Sequence, residues 1–175
     1  MIGVMHSANA VILARYDAGE RDVLVVMYSA AYGKKYLLAR GAKDSKSKQS
    51  SSLLPGAVGT LWWTEGKNGR SILTNAATVP AFIPGISFSG LYGLQCFLDF
   101  IVRVTKENEH DDGLYNVIIN TLDNVRKTGS IHIPDAFARA LRVLGWEYTG
   151  VLDNQAVGEF IVFHVGLRLP YLFPV

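Results

Sequence analysis

Five short apolar segments, most of them separated by turn residues, occupy the first eighty residues and most constrain how this chain can fold. The segments are residues 8–16, 23–29, 35–41, 57–65 and 70–79. Gly33 and the stretch "GKNG" (66–69) are typical of tight turns between strands, because glycine accepts a positive φ without steric cost. None of the five segments has a helical period, so the sequence predicts a small closed or partly open β-barrel of five strands.

Helical periodicity replaces this pattern after Pro80. Apolar residues then recur three and four positions apart in residues 91–101, 114–125 and 133–144. Gly129 is a C-terminal stop for the second helix, and Pro134 suits the first turn of the third. The chain is therefore predicted to be α+β, with a barrel in residues 1–80 and a helical domain in residues 81–154.

The last segment, residues 155–175, is more apolar than a free tail and too short for a unit of its own. A strand or helix packed on the body, an unfolded end and a non-native end are all compatible with this composition.

Composition excludes several classes of protein. A single cysteine, Cys96, rules out an intrachain disulfide framework and a cysteine-rich zinc site, and its apolar neighbours predict an inert core thiol. The N-terminus has no basic segment before its apolar run, so no secretory signal is expected. No apolar run reaches the roughly 18–20 residues that span a bilayer. We expect a cytoplasmic protein that makes no membrane contact.

The enzymatic motifs fail on inspection. Around Lys67, Leu61 and Asn68 replace the glycine and the Ser or Thr that a phosphate-binding loop needs. The stretch "GISFSG" (85–90) has Ser89 where a nucleophile elbow needs its second glycine. Four scattered histidines have no metal-ligand spacing. The sequence therefore predicts no catalytic residue, no metal and no cofactor.

Positive charge is concentrated in the first half of the chain. Residues 1–80 carry ten Lys and Arg against five Asp and Glu, whereas residues 81–154 carry six against nine. The stretch 34–48 has six basic residues and one acid, Asp44. Its composition favours equally a solvated loop and a barrel rim that contacts phosphates. The six cations of this stretch are Lys34, Lys35, Arg40, Lys43, Lys46 and Lys48.

Three aromatic residues, Tyr36, Trp62 and Trp63, are candidates for base stacking and are predicted to lie on adjacent strands. For the two tryptophans, packing in the core is favoured over stacking. Neighbouring residues on a strand face opposite sides, so one of the pair should point inward.

A series of short motifs runs through the first half of the chain: Gly19-Glu20, Tyr32-Gly33-Lys34, the stretch 39–43 with Lys46-Ser47, and Leu53-Leu54-Pro55. In this order and spacing, the motifs resemble the N-terminal half of the RecO recombination mediators. The resemblance covers residues 8–80 and, more loosely, the helices up to residue 148.

This resemblance implies an OB-fold barrel followed by a helical domain, and a role in DNA repair and recombination. Proteins of this family bind single- and double-stranded DNA, anneal complementary strands and help to load recombinase. They act with RecR and with single-strand DNA-binding protein, and a nucleoid-associated location in the cytoplasm is implied. The six cations would bind phosphates, with Arg15 as a weaker candidate. Many relatives carry a four-cysteine zinc element after the helix that corresponds to residues 141–148; residues 149–175 contain no cysteine, which excludes it.

A second interpretation is a non-catalytic adaptor that uses the barrel and helices to bind a protein partner. An enzyme ranks last, because no set of nucleophile, base and orienting residue can be assembled.

Overall fold

A computed structural model of the chain describes residues 4–44, 52–66, 69–80 and 86–169. The chain divides into two compact units. The first contains residues 1–82 together with 105–111, and the second contains residues 83–104 and 112–175. The segment 105–111, which follows a helix of the second unit, is thus grouped with the N-terminal unit.

The first unit is a closed five-stranded barrel with strand order β1-β2-β3-β5-β4. Neighbouring strands are antiparallel except for β3 and β5, which are parallel. This arrangement, followed by helices, confirms the predicted α+β fold with an OB-fold-like N-terminal domain. The strands are β1 (Met5–Asp17), β2 (Val23–Ser29), β3 (Gly33–Ala39), β4 (Val58–Glu65) and β5 (Ser71–Val79).

Strand β1 closes the barrel because it pairs with two neighbours. Its first half pairs with β4, from Met5 opposite Thr64, and its second half pairs with β2, up to Asp17 opposite Val23. The register of the β2 pairing shifts between Ile12 and Ala14. A bulge of this kind bends and twists a strand, which lets one long strand take part in both pairings.

Alternate residues of the strands fill the barrel with apolar side chains. Trp63 is the largest of them and is fully buried. Its ring contacts Tyr32 edge-on at 5.0 Å and is stacked with His6 at 5.6 Å between centroids. Burying a large apolar side chain stabilises a fold by roughly 1.5–3 kcal/mol. The rest of this core consists of Ala10, Ile12, Val23, Val25, Met27, Leu37, Ala39, Ala42, Leu53, Ala57, Leu61 and Leu73.

The second unit is helical, with α1 (Phe88–Val104), α2 (Asp112–Thr128), α3 (Ile133–Val143) and α4 (Asn154–Phe160). A π-helical turn, Ile161–Val165, continues α4. The apolar C-terminal segment is therefore helical up to Val165. Gly129 follows α2 with φ 69° and Pro134 lies in the first turn of α3, as predicted.

Aromatic packing joins the helices of this unit. The Phe137 ring of α3 lies 5.7 Å from Phe97 and 4.8 Å from Phe100, both on α1. All three side chains are fully buried. In the described part of the chain, no helix combines the length and apolar character needed to cross a membrane.

Candidate nucleic-acid interface

Two loops are hydrogen-bonded together at one end of the barrel, where β1 and β3 end. Arg21 donates through Nε to Asp44 Oδ1 at 3.0 Å and through Nη2 to Oδ2 at 2.6 Å. The Gly41 amide donates to Asp22 Oδ1 at 2.8 Å, and the Lys43 amide to the Arg21 carbonyl at 3.0 Å. The Arg21 hydrogen bond holds the pKa of Asp44 below its usual value. These hydrogen bonds fix the rim of the barrel that the basic stretch forms, up to Asp44.

Lys43 points back across this rim. Its Nζ lies 2.8 Å from Asp17 Oδ1 and donates to the Gly19 carbonyl at 2.8 Å. Arg40, in contrast, is exposed in the turn after β3. Of these two predicted phosphate contacts, Lys43 thus has its charge offset by a carboxylate of the same protein.

Lys34 lies inside the first unit rather than on its surface. Its residue is 6% exposed, and its ammonium donates to the Thr105 carbonyl. Burial lowers the pKa of Lys34, although Glu107 acts in the opposite direction. Its Nζ also lies 5.9 Å from the centre of the Tyr36 ring. This lysine holds the segment 105–111 in place, and its ammonium is little available to a phosphate.

Lys35 lies on β3, opposite Met27 of β2, and its side chain is 14% exposed. Its Nζ is 3.3 Å from Glu65 Oε1 and 3.4 Å from Asn108 Oδ1. Burial raises the pKa of Glu65, but hydrogen bonds from Ser71 and Lys35 outweigh it and lower that pKa overall. Lys35 is therefore a mostly buried cation that is paired with a carboxylate.

A groove of about 500 Å³ runs along the outer side of β2 and β3. Leu24 and Leu38 pair across these strands, and Tyr36 precedes Leu38 by two positions, so it faces the same side. The groove thus combines an apolar and aromatic floor with polar and charged walls. The wall residues are Lys35, Gly69, Arg70, Ser71, Glu107 and Asn108, and Ala18 lies at one end.

The segment 105–111 supplies one wall of the groove by pairing with β3. Glu107 forms a parallel bridge with Lys34, and the Asn108 amide donates to the Lys34 carbonyl at 2.8 Å. Asn108 has φ 62°, a left-handed conformation that asparagine tolerates better than most residues. Sequence reasoning placed this stretch at a break between helices and missed its role, because pairing with a distant strand leaves no local period.

The structure brings together only some of the predicted site residues. Lys35 and Tyr36 line the groove, and Arg40 follows β3 nearby in sequence. Lys46 and Lys48 fall outside the described residues. Arg15 is half-buried on β1 and does not line the groove.

The three aromatic candidates for base stacking do not lie together in the barrel. Trp63 is in the barrel core, as expected for one member of the pair, and this removes it from base stacking. Trp62 is half-buried on β4. The expectation that Tyr36 and the tryptophans lie on adjacent strands is wrong, because β5 lies between β3 and β4.

Arg70 is a groove residue that sequence reasoning missed. It is exposed at the turn between β4 and β5, directly before Ser71. Its place after "GKNG" was a local signal, since turn residues of a small barrel often contact ligands. The distance in sequence from the stretch 34–48 hid its relation to Lys35.

The strand order and the helices that follow it define an α+β protein with an OB-fold-like N-terminal domain. Residues 1–82 match the sequence model of the family described as "Recombination protein O N terminal". The N-terminal part of the chain therefore matches the RecO family that its motifs indicated.

The chain is similar to proteins named DNA repair protein RecO from three bacteria. It is 22% identical to that of Halalkalibacterium halodurans over 150 residues, which cover 85% of this chain and 57% of the relative. It is 32% identical to that of Levilactobacillus brevis over 74 residues, 42% of this chain and 28% of the relative. It is 41% identical to that of Lactiplantibacillus plantarum over 71 residues, 41% and 28% respectively. The chain thus spans little more than half the length of the first relative.

Proposed function

We propose that this chain is a DNA-binding protein of repair and recombination that works without covalent catalysis. The observation that carries the proposal is the groove on the OB-fold-like barrel, which is lined by an aromatic side chain and by cations in a chain similar to DNA repair proteins. OB-fold barrels bind oligonucleotides across strands 2 and 3 and the adjoining loops. The groove of this chain lies on that face.

The groove suits a single strand of DNA. A base can stack on Tyr36 or pack on Leu24 and Leu38, because every base has a π-face. Arg70 on one side and Arg40 beyond the end of β3 are the exposed cations that bind the neighbouring phosphates. Lys46 and Lys48 extend the basic stretch and are proposed as further phosphate contacts.

Strand annealing follows from the same charges. Two DNA backbones repel each other, and a basic surface that binds both lowers this repulsion enough for bases to pair. The proposed partners are single- and double-stranded DNA, a RecR-like protein and single-strand DNA-binding protein. Loading of recombinase would depend on these partners together, at the nucleoid. No cofactor is needed for this mechanism.

The adaptor remains as a second candidate because of one observation. Of the predicted phosphate contacts, Lys34 is buried and Lys35 and Lys43 are paired with carboxylates. A surface whose cations are already paired releases fewer counterions when it meets DNA, so its affinity for phosphates is reduced. Such a surface is also compatible with a protein partner.

Salt-dependent binding tests the proposal. The Arg40→Ala/Arg70→Ala variant should bind a labelled single-stranded oligonucleotide about tenfold more weakly. Its plot of log affinity against log salt should be less steep by about 1.4, since each phosphate contact on a single strand contributes about 0.7. Arg142→Ala removes an exposed arginine of α3 and is the matched control. Unchanged affinity and slope in the double variant would rule out this groove as the DNA site.

An annealing assay separates the two candidates. The wild-type chain should speed the pairing of complementary strands coated with single-strand DNA-binding protein, and the double variant should be slower. DNA binding without any acceleration of annealing would favour the adaptor.

A further inference from the structure

A carboxylate in the wall of the groove distinguishes this site from a simple phosphate-binding surface. Glu107 is exposed and lines the groove with Tyr36 and Arg70. A carboxylate repels phosphates, so it lowers affinity for the backbone of any DNA strand. Its place in the groove is better matched to a partner that donates hydrogen bonds, and the heterocyclic bases have such groups.

The backbone of Glu107 is held by β3. The residue forms a parallel bridge with Lys34, whose ammonium bonds to the Thr105 carbonyl. The main-chain N–H of the next residue, Asn108, donates to the Lys34 carbonyl at 2.8 Å. The carboxylate is therefore presented from a fixed main chain, which is what recognition of a base edge requires.

Asn108 adds a donor beside this acceptor. Its Oδ1 lies 3.4 Å from Lys35 Nζ and is engaged by that cation. The amide NH₂ of Asn108 is then the end of the side chain that can donate to a ligand. The wall thus offers a carboxylate that only accepts and a neighbouring amide that donates.

Guanine matches this pair of groups. It has two adjacent donors on its Watson–Crick edge, N1–H and the N2 amino group, and the O6 acceptor beside them. A carboxylate can accept from both donors at once, and such charge-assisted pairs are stronger than neutral ones. Adenine, cytosine and thymine each offer one donor group on that edge.

We propose that the groove binds one unpaired guanine, with Glu107 accepting from its N1–H and N2 amino group, Asn108 donating to O6 and Tyr36 stacking on the ring. The proposal rests on the proposed DNA binding and adds a base preference to it. In a duplex the same edge is occupied by cytosine, so this contact is made only with unpaired DNA.

Binding to oligonucleotides of defined sequence tests the preference. The probes are a labelled 12-nucleotide dT strand and the same strand with three separated dG residues, compared by fluorescence anisotropy. The dG strand should bind about tenfold more tightly, near the lower end of the range for a bidentate base contact because Glu107 is exposed. Replacing dG by deoxyinosine, which lacks the N2 amino group, should remove most of the gain. Replacing it by 7-deaza-dG should not, because the Watson–Crick edge is unchanged.

Two variants assign the preference to a residue. Glu107→Gln should bind the dG and dT strands with nearly equal affinity, because an amide cannot accept from both donors. Glu109→Gln is the control, since Glu109 belongs to the same segment and carries the same charge. It does not line the groove, and its Oε1 lies 3.6 Å from Lys106 Nζ. It should keep the tenfold preference.

The outcomes distinguish guanine recognition from the proposed DNA binding on which it rests. Equal binding of the two strands by the wild-type chain, or a preference that survives Glu107→Gln, would overturn guanine recognition and leave DNA binding intact. Failure to bind either strand would instead overturn the proposed function.

Discussion

Replacing Gly33 by alanine should detach the wall of the groove from the barrel. Gly33 begins β3 with φ 62°, in the left-handed region that L side chains rarely adopt. A Cβ at this position would lie 2.0 Å from the carbonyl oxygen and 2.3 Å from the carbonyl carbon of Glu109. Both atoms belong to the main chain, so no side-chain rotation can relieve the overlap. The segment 105–111 must move.

The loss in the free energy of unfolding has three contributions, one from the backbone of residue 33 and two from hydrogen bonds. The left-handed conformation costs alanine about 1–2 kcal/mol. Displacing the segment also breaks the bond from the Asn108 amide to Lys34, worth about 0.5–1.5 kcal/mol, and the bond from the Lys34 ammonium to Thr105, worth about 1.5–3 kcal/mol. Gly33→Ala should therefore lower the free energy of unfolding of the barrel by about 3–6.5 kcal/mol.

Gly69→Ala is the matched control. Gly69 has φ 71°, and an added Cβ would meet nothing within 4 Å. Gly69→Ala should lower the free energy of unfolding only by the cost of the left-handed conformation, about 1–2 kcal/mol. The two variants should therefore differ by about 2–4.5 kcal/mol, which is the cost of the overlap at Gly33. Urea unfolding followed by tryptophan fluorescence measures both variants. A Trp146→Phe background confines the signal to Trp62 and Trp63 of the barrel.

Amide hydrogen exchange provides a local test of the same prediction. The Asn108 amide should exchange slowly in the wild-type chain and rapidly in Gly33→Ala, because its acceptor on Lys34 is lost. Equal costs for the two glycine variants within about 1 kcal/mol, or an Asn108 amide that stays protected in Gly33→Ala, would refute the reasoning.

Two further predictions concern the charge and the thiol of the chain. Glu65→Gln should free Lys35 for a phosphate contact while keeping an acceptor for Ser71. Measured by fluorescence anisotropy, affinity for single-stranded DNA should rise about threefold, and the plot of log affinity against log salt should steepen by up to about 0.7. Weaker binding would contradict this prediction. Cys96 should not react with a soluble disulfide reagent at pH 8 in the folded chain. Burial, with Asp99 adding to it, raises the pKa of its thiol to about 11, so the thiolate becomes abundant only near that pH and reaction at pH 8 should require unfolding. Rapid labelling of the native chain at pH 8 would show that the thiol is accessible.

Much of the fold could be predicted from local patterns. The five strands, three of the helices, the stop at Gly129 and the start of α3 at Pro134 all follow from side-chain periods and from residues with special backbone preferences. The motif series also indicated the RecO family that the match to residues 1–82 supports. These features depend on neighbours within a few positions, which a sequence displays directly.

The candidate site was predictable only in part. Lys35 and Tyr36 were identified as cation and aromatic, and both line the groove. Lys34 has the same local character as Lys35, yet it is buried against the segment 105–111. Charge alone could not distinguish these neighbours, because their difference depends on a main chain seventy residues further along.

By itself, the sequence determined the strands, the helices and the basic character of the first half of the chain, since these follow from local periodicity and composition. Only the tertiary structure decided which charges are available. Strand β5 inserts between β3 and β4, and the segment 105–111 pairs with β3. Arg70 and Glu107 thereby line the same groove, whereas Trp63 lies in the core. Pairing between distant segments is chosen by the burial and hydrogen bonding of the whole barrel, and that choice leaves no period in the sequence.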